Sequence, residues 1–227
     1  MNDAPSEFTA REKRWLKVFE RIEVIRAFYQ MSAVDVTRAV KNLKRQPASQ
    51  FWRRTVVRNF AAHVEAFLYV LKQTTLALSD LSSAKFDKRE LAFLADVRRY
   101  TDEAGNEIDL DFPKFVENLK FAFASYARVN GSAFKLDCGD HRYDYFQAMV
   151  KVRNRLTHPK SIARFDVSDQ ETVWIAKAWG WYQEQGGKLL TTEGSRSLFQ
   201  TKLQGSESCG ALAASRSEFC SKSDTRS

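Results

Sequence analysis

The sequence predicts an all-α fold, a single bundle of about five to seven helices. Glycine and proline are scarce, with 9 and 4 residues in a chain of 227, which argues against a turn-rich β fold. Apolar residues recur at helical spacing through several long segments. Some of these segments open with a capping pattern, in which Thr, Asp or Ser is followed three positions later by Glu. The pairs are Thr9 with Glu12, Asp87 with Glu90, and Ser168 with Glu171.

The N-terminal half is expected to hold the longest helices. Apolar spacing predicts a first helix over residues 9–30 and a shorter one over residues 32–43, capped by Ser32. The valines of this shorter segment favour a strand as the alternative. A proline then interrupts the chain, and Ser49 is expected to cap the longest predicted helix, over residues 50–78.

The C-terminal half is expected to be helical with short connections. Its predicted elements are a helix from Asp87 to Tyr100, a loop over 101–112, a helix that Asp111 caps and Asn130-Gly131 ends, a helix over 142–158, a loop over 159–167, and a final helix from Ser168 to Gly186-Gly187. Residues 1–190 are therefore expected to form one helical domain. Residues 191–227 hold few large apolar residues, which predicts a low-complexity, disordered tail.

Composition and charge bound the class of protein. Lys and Arg number 36 against 28 Asp and Glu, a formal net charge of +8, which is compatible with a nucleic-acid partner without requiring one. Residues 1–7 are polar and no long apolar run occurs, so no membrane segment is expected and the cytoplasm is the expected location. The 3 cysteines show no zinc-ligand spacing, and no Gly-rich phosphate loop is present. We expect neither a metal nor a cofactor.

A basic segment extends over residues 38–58, because no acidic residue lies between Asp35 and Glu65. Its cations are Arg38, Lys41, Lys44, Arg45, Arg53, Arg54 and Arg58. Fixed positive charge beside aromatic rings is typical of a surface that binds a nucleic-acid strand, and Trp52 is the candidate for base stacking. The alternative is a solvated helix face whose acidic partners come from elsewhere in the bundle.

The segment with the most chemistry is Arg153-Asn154-Arg155-Leu156-Thr157-His158, at the end of a predicted helix. Pro159 disfavours the α conformation at the preceding residue, so the helix should stop near His158. On a regular helix Asn154 and His158 share a face, whereas Arg153 is rotated from His158 by about 140°. The guanidinium and imidazole converge only if the last turn loosens or a second copy of the chain completes the site.

These residue types suit cleavage of an RNA phosphodiester without a metal. Such cleavage needs a base for the ribose 2′-hydroxyl, a cation for the developing phosphoryl charge, and an acid for the leaving 5′-oxygen. His158 suits acid or base, Arg153 suits charge stabilisation, and Asn154 can orient either of them. The alternative is structural, with Arg153 and Arg155 as surface ion-pair partners and His158 as a C-terminal helix cap.

Arg153-Asn154-x-x-x-His158, at the end of a helix in an all-α chain, resembles the R-x4-6-H motif of the HEPN superfamily, whose preferred form is R-N-x-x-x-H. The segment RNFAAHVEAFLYVLK, residues 58–72, is similar to an early core helix of that family. The resemblance implies a helical bundle with a four-helix core that forms a homodimer and brings two motifs into one cleft. It also implies a metal-independent endoribonuclease of toxin–antitoxin or antiphage defence, with an antitoxin or other regulatory protein as a further partner.

The resemblance assigns catalysis to Arg153, Asn154 and His158. The residues expected to bind RNA are Arg45, Trp52, Arg53, Arg54, Arg58, Arg155 and Lys160. His63 and Glu65 are candidates for holding Arg153 or His158 in place, although packing is the simpler role for His63. HEPN toxins paired with a nucleotidyltransferase antitoxin carry H-x-Y, whereas His158 here precedes Pro-Lys. The alternative to an enzyme is a non-catalytic HEPN-like module that binds RNA, a nucleotide or a protein.

Overall fold

The protein, seen in a computed structural model, is an α-helical bundle with one small hairpin, which confirms the predicted all-α class. Residues 10–80, 82–111 and 113–191 are described, with side chains from Ala27 onward except that of Phe28. The elements are α1 (Ala10–Arg45), α2 (Gln50–Ser79), α3 (Lys88–Leu94), β1 (Arg99–Thr101), β2 (Glu107–Asp109), α4 (Phe115–Val129), α5 (His141–Thr157), a 3-10 helix (Ile162–Phe165) and α6 (Asp169–Thr191). None of these described helices could cross a membrane.

Local capping chemistry sets several helix starts where the sequence predicts them. Ser49 caps α2 by accepting a hydrogen bond from the backbone of Trp52. Asp87 and Glu90 form a complete capping box at α3. Ser168 and Glu171 exchange side-chain and backbone hydrogen bonds of 3.2 and 2.8 Å at the start of α6. The Thr9–Glu12 pattern lies outside the described residues.

The two helices predicted before residue 45 are one continuous helix, so Ser32 is not a cap. Its hydroxyl donates to the carbonyl of Tyr29 at 2.7 Å, a hydrogen bond made inside a helix. It also lies 2.9 Å from Nδ1 of His63 in α2. The valine segment is helical because Val36 and Ala39 are buried, so that tertiary packing outweighs β propensity.

Three other predicted boundaries are wrong. The helix predicted to reach Tyr100 ends at Leu94, where Asp96 adopts a left-handed φ of 55° and pairs with the buried Lys72. The predicted 101–112 loop contains β2 and the hairpin turn, in which Asp102 accepts a 2.8 Å hydrogen bond from the backbone of Asn106. The helix expected to be capped by Asp111 begins at Phe115.

The final helix continues past the predicted stop at Gly186-Gly187, as far as Thr191. Gly186 is buried, and a Cβ there would lie 3.6 Å from the ring of Phe67. The glycine therefore allows close packing of α6 on α2 and does not end the helix. Thr191, the first residue of the predicted 191–227 tail, is the last residue of α6, and the rest of that tail lies outside the described residues.

Helix directions bring the ends of four helices together. The side chain of Asn59 in α2 bonds the carbonyl of Asp35, and α1 and α2 run antiparallel. Arg53 near the start of α2 pairs with Asp169 at the start of α6, so these two helices run parallel. Arg155 of α5 pairs with Glu171 of α6, and α5 runs antiparallel to both. One end of the bundle thus collects the C-termini of α1 and α5 with the N-termini of α2 and α6.

The core between these helices is rich in aromatic residues. Trp181, Phe146 and Phe60 are almost fully buried and contact one another or shared neighbours. The indole N–H of Trp181 donates to the carbonyl of Asp137 at 3.1 Å, which satisfies its only polar group. This core fixes α5 against α6 and thereby positions the end of α5.

Candidate functional site at the end of α5

The last turn of α5 is regular and stops where the sequence predicts. The backbone N–H of His158 still donates to the carbonyl of Asn154 at 3.0 Å. His158 itself leaves the helix with φ −128° and ψ 64°, as expected before Pro159. Because the helical hydrogen bond persists, the rotation of about 140° between Arg153 and His158 is retained within one chain.

Arg153 is held in place from three sides. Its Nη2 donates to Oε1 of Glu65 at 2.6 Å, and its Nη1 donates to Oδ1 of Asn154 at 3.1 Å. Its guanidinium lies 5.7 Å from the ring centroid of Phe115 in α4. The side chain is 29% exposed, so one face of this fixed cation remains accessible. Glu65, a candidate partner from the sequence, is thus in contact with Arg153.

His158 is exposed at the surface. Its imidazole makes no hydrogen bond or ion pair within the described part of the chain, including none with Arg153. The structure therefore brings together Arg153, Asn154 and Glu65, and leaves the His158 imidazole at the same helix end without a partner among the described residues.

His63 lies elsewhere, although only one residue separates it from Glu65. Residues two apart on a helix point about 200° apart, so His63 faces the interior while Glu65 faces Arg153. Its side chain is packed against the rings of Tyr29 and Trp179, at centroid distances of 4.5 and 5.3 Å. Burial lowers the pKa of His63 to about 4. This histidine is a neutral packing residue and does not contact Arg153 or His158.

Part of the predicted RNA-binding set is engaged inside the molecule. Arg53 pairs with Asp169 and donates to the carbonyl of Val167 at 3.0 Å. Arg54 lies 4.5 Å above the ring of Phe165, with Arg58 at 5.3 Å from the same centroid. Arg53 and Arg54 therefore hold the segment that follows the motif against α2, and their acidic partners, Asp169 and Asp166, come from elsewhere in the bundle. Arg58 is exposed and has no acidic partner among the described residues.

Arg155 is also engaged within the chain. Its Nη2 donates to the carbonyl of Asp166 at 2.9 Å and to Oε2 of Glu171 at 3.0 Å. The side chain therefore links α5 to the start of α6. Two of its neighbours in this link, Asp166 and Glu171, were not assigned any functional role by the sequence pattern.

The remaining cations are open to solvent. Arg38, Lys41, Lys44, Arg45 and Lys160 are exposed and make no ion pair with any described residue. They lie on the last turns of α1 and just after α5, at the end of the bundle that holds the motif. Trp52, the candidate stacking residue, is half-buried with its ring against Phe51, which is 60% exposed.

Comparison of the chain with protein families, with curated proteins and with solved structures gives no match. Within the described residues, His, Cys, Asp and Glu do not gather in groups of three or more that could hold a metal ion. The site is thus described by its own geometry: a fixed cation, an amide and an exposed imidazole at one helix end.

Proposed function

We propose that the protein is a HEPN-type endoribonuclease that cleaves RNA by attack of the ribose 2′-hydroxyl, without a metal ion. The observation that supports this most directly is the contrast between Arg153 and His158. The guanidinium is fixed by Glu65 and Asn154, whereas the imidazole four residues after Asn154 is exposed and has no partner among the residues that the structure describes. A rigid cation and an exposed imidazole at the same helix end suit a phosphodiester, because together they offer charge stabilisation and proton transfer.

In the proposed reaction, one imidazole removes the proton of the 2′-hydroxyl. The 2′-oxygen attacks phosphorus, the bond to the 5′-oxygen breaks, and the same imidazole, now protonated, donates that proton to the leaving oxygen. The products are a 2′,3′-cyclic phosphate and a 5′-hydroxyl end. Arg153 binds the phosphoryl oxygens as their charge grows. Asn154 keeps Arg153 oriented through the 3.1 Å hydrogen bond between their side chains.

The proposed site is shared between two copies of the chain. Within one copy, the regular last turn directs Arg153 toward Glu65 and His158 toward a different face of α5. A symmetric pair of α5 ends would place the His158 imidazole of each copy near the Arg153 guanidinium of the other.

The exposed cations at the same end of the bundle suit the RNA backbone. Arg38, Lys41, Lys44, Arg45 and Lys160 have no carboxylate partner within the described residues. Phosphate contacts made by such side chains position a strand without reading its sequence. Arg53, Arg54 and Arg155, which have partners inside the molecule, would shape this surface more than bind the strand.

The test is cleavage of a 5′-labelled RNA by the purified full-length chain in the presence of EDTA. We expect products with 2′,3′-cyclic phosphate ends. Arg153→Ala should lower the rate by about 10²–10³-fold, as loss of one charge-stabilising group does. His158→Ala should lower it by about 10²–10⁴-fold, as loss of a general acid or base does.

Matched controls come from the same molecule. Arg128 resembles Arg153, since it pairs with Glu90 at 2.8 Å and lies 4.0 Å above the Phe86 ring. His141 is an exposed histidine at the other end of α5. Arg128→Ala and His141→Ala should leave cleavage unchanged. Cleavage that disappears with EDTA, or that survives both motif substitutions, contradicts the proposal, and RNA binding without cleavage would favour the non-catalytic module.

The proposed setting is host defence, in which a ribonuclease is restrained by an antitoxin or another regulatory protein. Expression of the active chain should then arrest growth of a bacterial host, and Arg153→Ala should relieve the arrest. If the Arg153→Ala variant arrests growth at an equal protein level, the toxicity does not depend on RNA cleavage.

A further inference from the structure

A groove of ≈ 380 Å³ lies beside the motif. It runs between the C-terminal part of α5, the 3-10 helix and the N-termini of α2 and α6. Its lining residues include Arg155, Asp166, Val167, Ser168, Glu171 and Trp174. The volume is in the lower part of the range for pockets that take small organic ligands, about 300–1,000 Å³. Arg155 and His158 are three positions apart and lie about 60° apart around α5, so the groove is on the His158 side of the motif and not on the side of the same chain's Arg153.

Most polar groups of the groove are already satisfied. The carboxylate of Glu171 accepts from Arg155 and from the backbone of Ser168. The amide of Gln50 exchanges hydrogen bonds of 2.8 and 3.0 Å with the backbone of Val167. These groups fix the walls of the groove and have little capacity left for a ligand.

Two polar groups of the groove remain available. The Asp166 side chain is 64% exposed, and its carboxylate meets only a long 3.5 Å contact from Arg54. The Arg155 side chain is 25% exposed, and its hydrogen bonds to described residues all come from Nη2, so its Nη1 remains available as a donor. The groove thus offers a carboxylate that accepts and a guanidinium that donates.

Trp174 supplies the third feature of the groove. It is half-buried at the wall formed by the first turns of α6. An indole at the side of a groove provides a flat face on which a planar ring can stack. A matching ligand is therefore planar, with N–H donors on one edge and acceptors next to them.

Guanine meets these requirements better than the other RNA bases. Its N1–H and N2–H groups are adjacent donors that can engage both oxygens of a carboxylate. Its O6 and N7 are the acceptors that arginine most often reads. Adenine and cytosine offer one exocyclic amino group with no neighbouring ring N–H, and uracil offers a single ring N–H.

We propose that the groove binds a guanine base of the RNA, with Trp174 stacking on the ring, Asp166 accepting from N1 and N2, and Arg155 donating to O6 or N7. This role rests on the proposed ribonuclease function, which it deepens by giving the enzyme a base preference. The guanine would occupy the groove while the RNA backbone passes the end of α5. The cleaved bond is therefore expected close to a guanosine.

The first experiment measures binding without cleavage. The four nucleoside 5′-monophosphates are titrated into the full-length chain by calorimetry, so that the phosphate is common to all. Guanosine monophosphate should bind at least about tenfold more tightly than the others. Asp166→Asn should abolish that preference, and Trp174→Ala should weaken guanosine monophosphate binding while Trp174→Phe retains part of it. Asp144→Asn is the control, since Asp144 is an exposed carboxylate of α5 that does not line the groove and pairs with no described residue.

The second experiment measures cleavage of RNAs that differ at one position. A strand with a single guanosine should be cleaved faster than the same strand with inosine, which lacks the N2 amino group. Equal binding of the four nucleotides, or an Asp166→Asn chain that keeps the guanine preference, overturns the groove proposal. Guanine-selective binding without any cleavage would instead leave the groove in place and overturn the ribonuclease.

Discussion

The two ends of helix α5 carry the same residue types in different electrostatic settings. At the N-terminal end, Arg142 pairs with Asp140 and with Glu184, the latter at 2.8 Å. At the C-terminal end, Arg153 has one carboxylate partner, Glu65, and His158 has none within the described residues. The first end is balanced by its own acidic groups, whereas at the second the exposed Lys160 has no carboxylate partner within the described residues and can contact an anionic ligand.

The helix itself accentuates this difference. Asp140 caps the positive N-terminal end, where its carboxylate accepts from the backbone of Arg142 at 2.8 Å. The Arg142 guanidinium lowers the pKa of Asp140 to about 2. An arginine with two carboxylates beside a capped helix start is sufficiently explained by folding. An exposed histidine at the same helix end as a singly paired arginine is not, and for this reason we propose that the function lies at the C-terminal end.

The largest expected effect tests whether the C-terminal site is shared between copies. Arg153→Ala and His158→Ala chains are each expected to be inactive alone. The two variants are mixed, unfolded and refolded together, and the mixture should regain about a quarter of wild-type cleavage. Half of the randomly formed pairs contain one chain of each variant, and each such pair has one of its two shared sites intact. The measurement is the cleavage rate of the mixture against each variant alone. A mixture as inactive as its components would show that the two groups are not contributed by different copies.

The next effect concerns the carboxylate at each end. Glu65→Gln removes the charge that fixes Arg153 and should lower kcat by about tenfold, since loss of orientation raises the barrier more than it weakens binding. KM should change little. Glu184→Gln makes the equivalent change beside Arg142 and should leave kcat unaltered. Equal losses of kcat in the two variants would remove the distinction between the ends of α5.

Local chemistry made much of the fold and part of the site predictable. The caps at Ser49, Asp87 and Ser168 and the stop at His158 each depend on residues within a few positions of one another. The chemistry of Arg153, Asn154 and His158 is contained in six consecutive residues. Short-range hydrogen bonds of this kind are recognisable in a single sequence.

Long-range contacts decided what the sequence could not predict. Ser32 looks like a cap, but its hydroxyl meets His63 across 31 positions. Glu65 reaches Arg153 across 88 positions, and Arg54 contacts Asp166 across 112. No periodicity or spacing rule relates such distant residues. The groove could not be predicted for the same reason. In the sequence, Glu171 is recognisable only as a capping residue and Trp174 only as a core residue.

The buried His63 provides a further comparison with His141 and His158, which are exposed at the two ends of α5. Its pKa is lowered from 6.5 to about 4 by burial, so the unfolded chain binds more protons than the folded chain between these values. The contribution of neutral His63 to the free energy of unfolding is complete above about pH 6.5. As pH falls toward 4, this contribution decreases by on the order of 2–3 kcal/mol. Urea unfolding of the wild type and His63→Gln at several pH values measures this. If the free energy of unfolding of the variant has the same pH dependence as that of the wild type, the loss of stability at low pH comes from other groups.

The smallest effect is expected at the balanced end. The pKa of Asp140 is lowered to about 2, first by its hydrogen bonds from the Arg142 side chain, so the folded state holds this carboxylate ionised. The contribution of ionised Asp140 to the free energy of unfolding is fully present above its pKa in the unfolded chain, near 3.8. It is lost as pH falls through about 2. Asp140→Ala should therefore remove a component of stability that disappears only in strong acid, while cleavage at neutral pH stays unchanged. Acid unfolding followed by circular dichroism, with the cleavage rate measured beside it, tests both parts. A large loss of cleavage in this variant would mean that the start of α5 also serves the reaction, and that charge balance alone does not distinguish a structural helix end from a functional one.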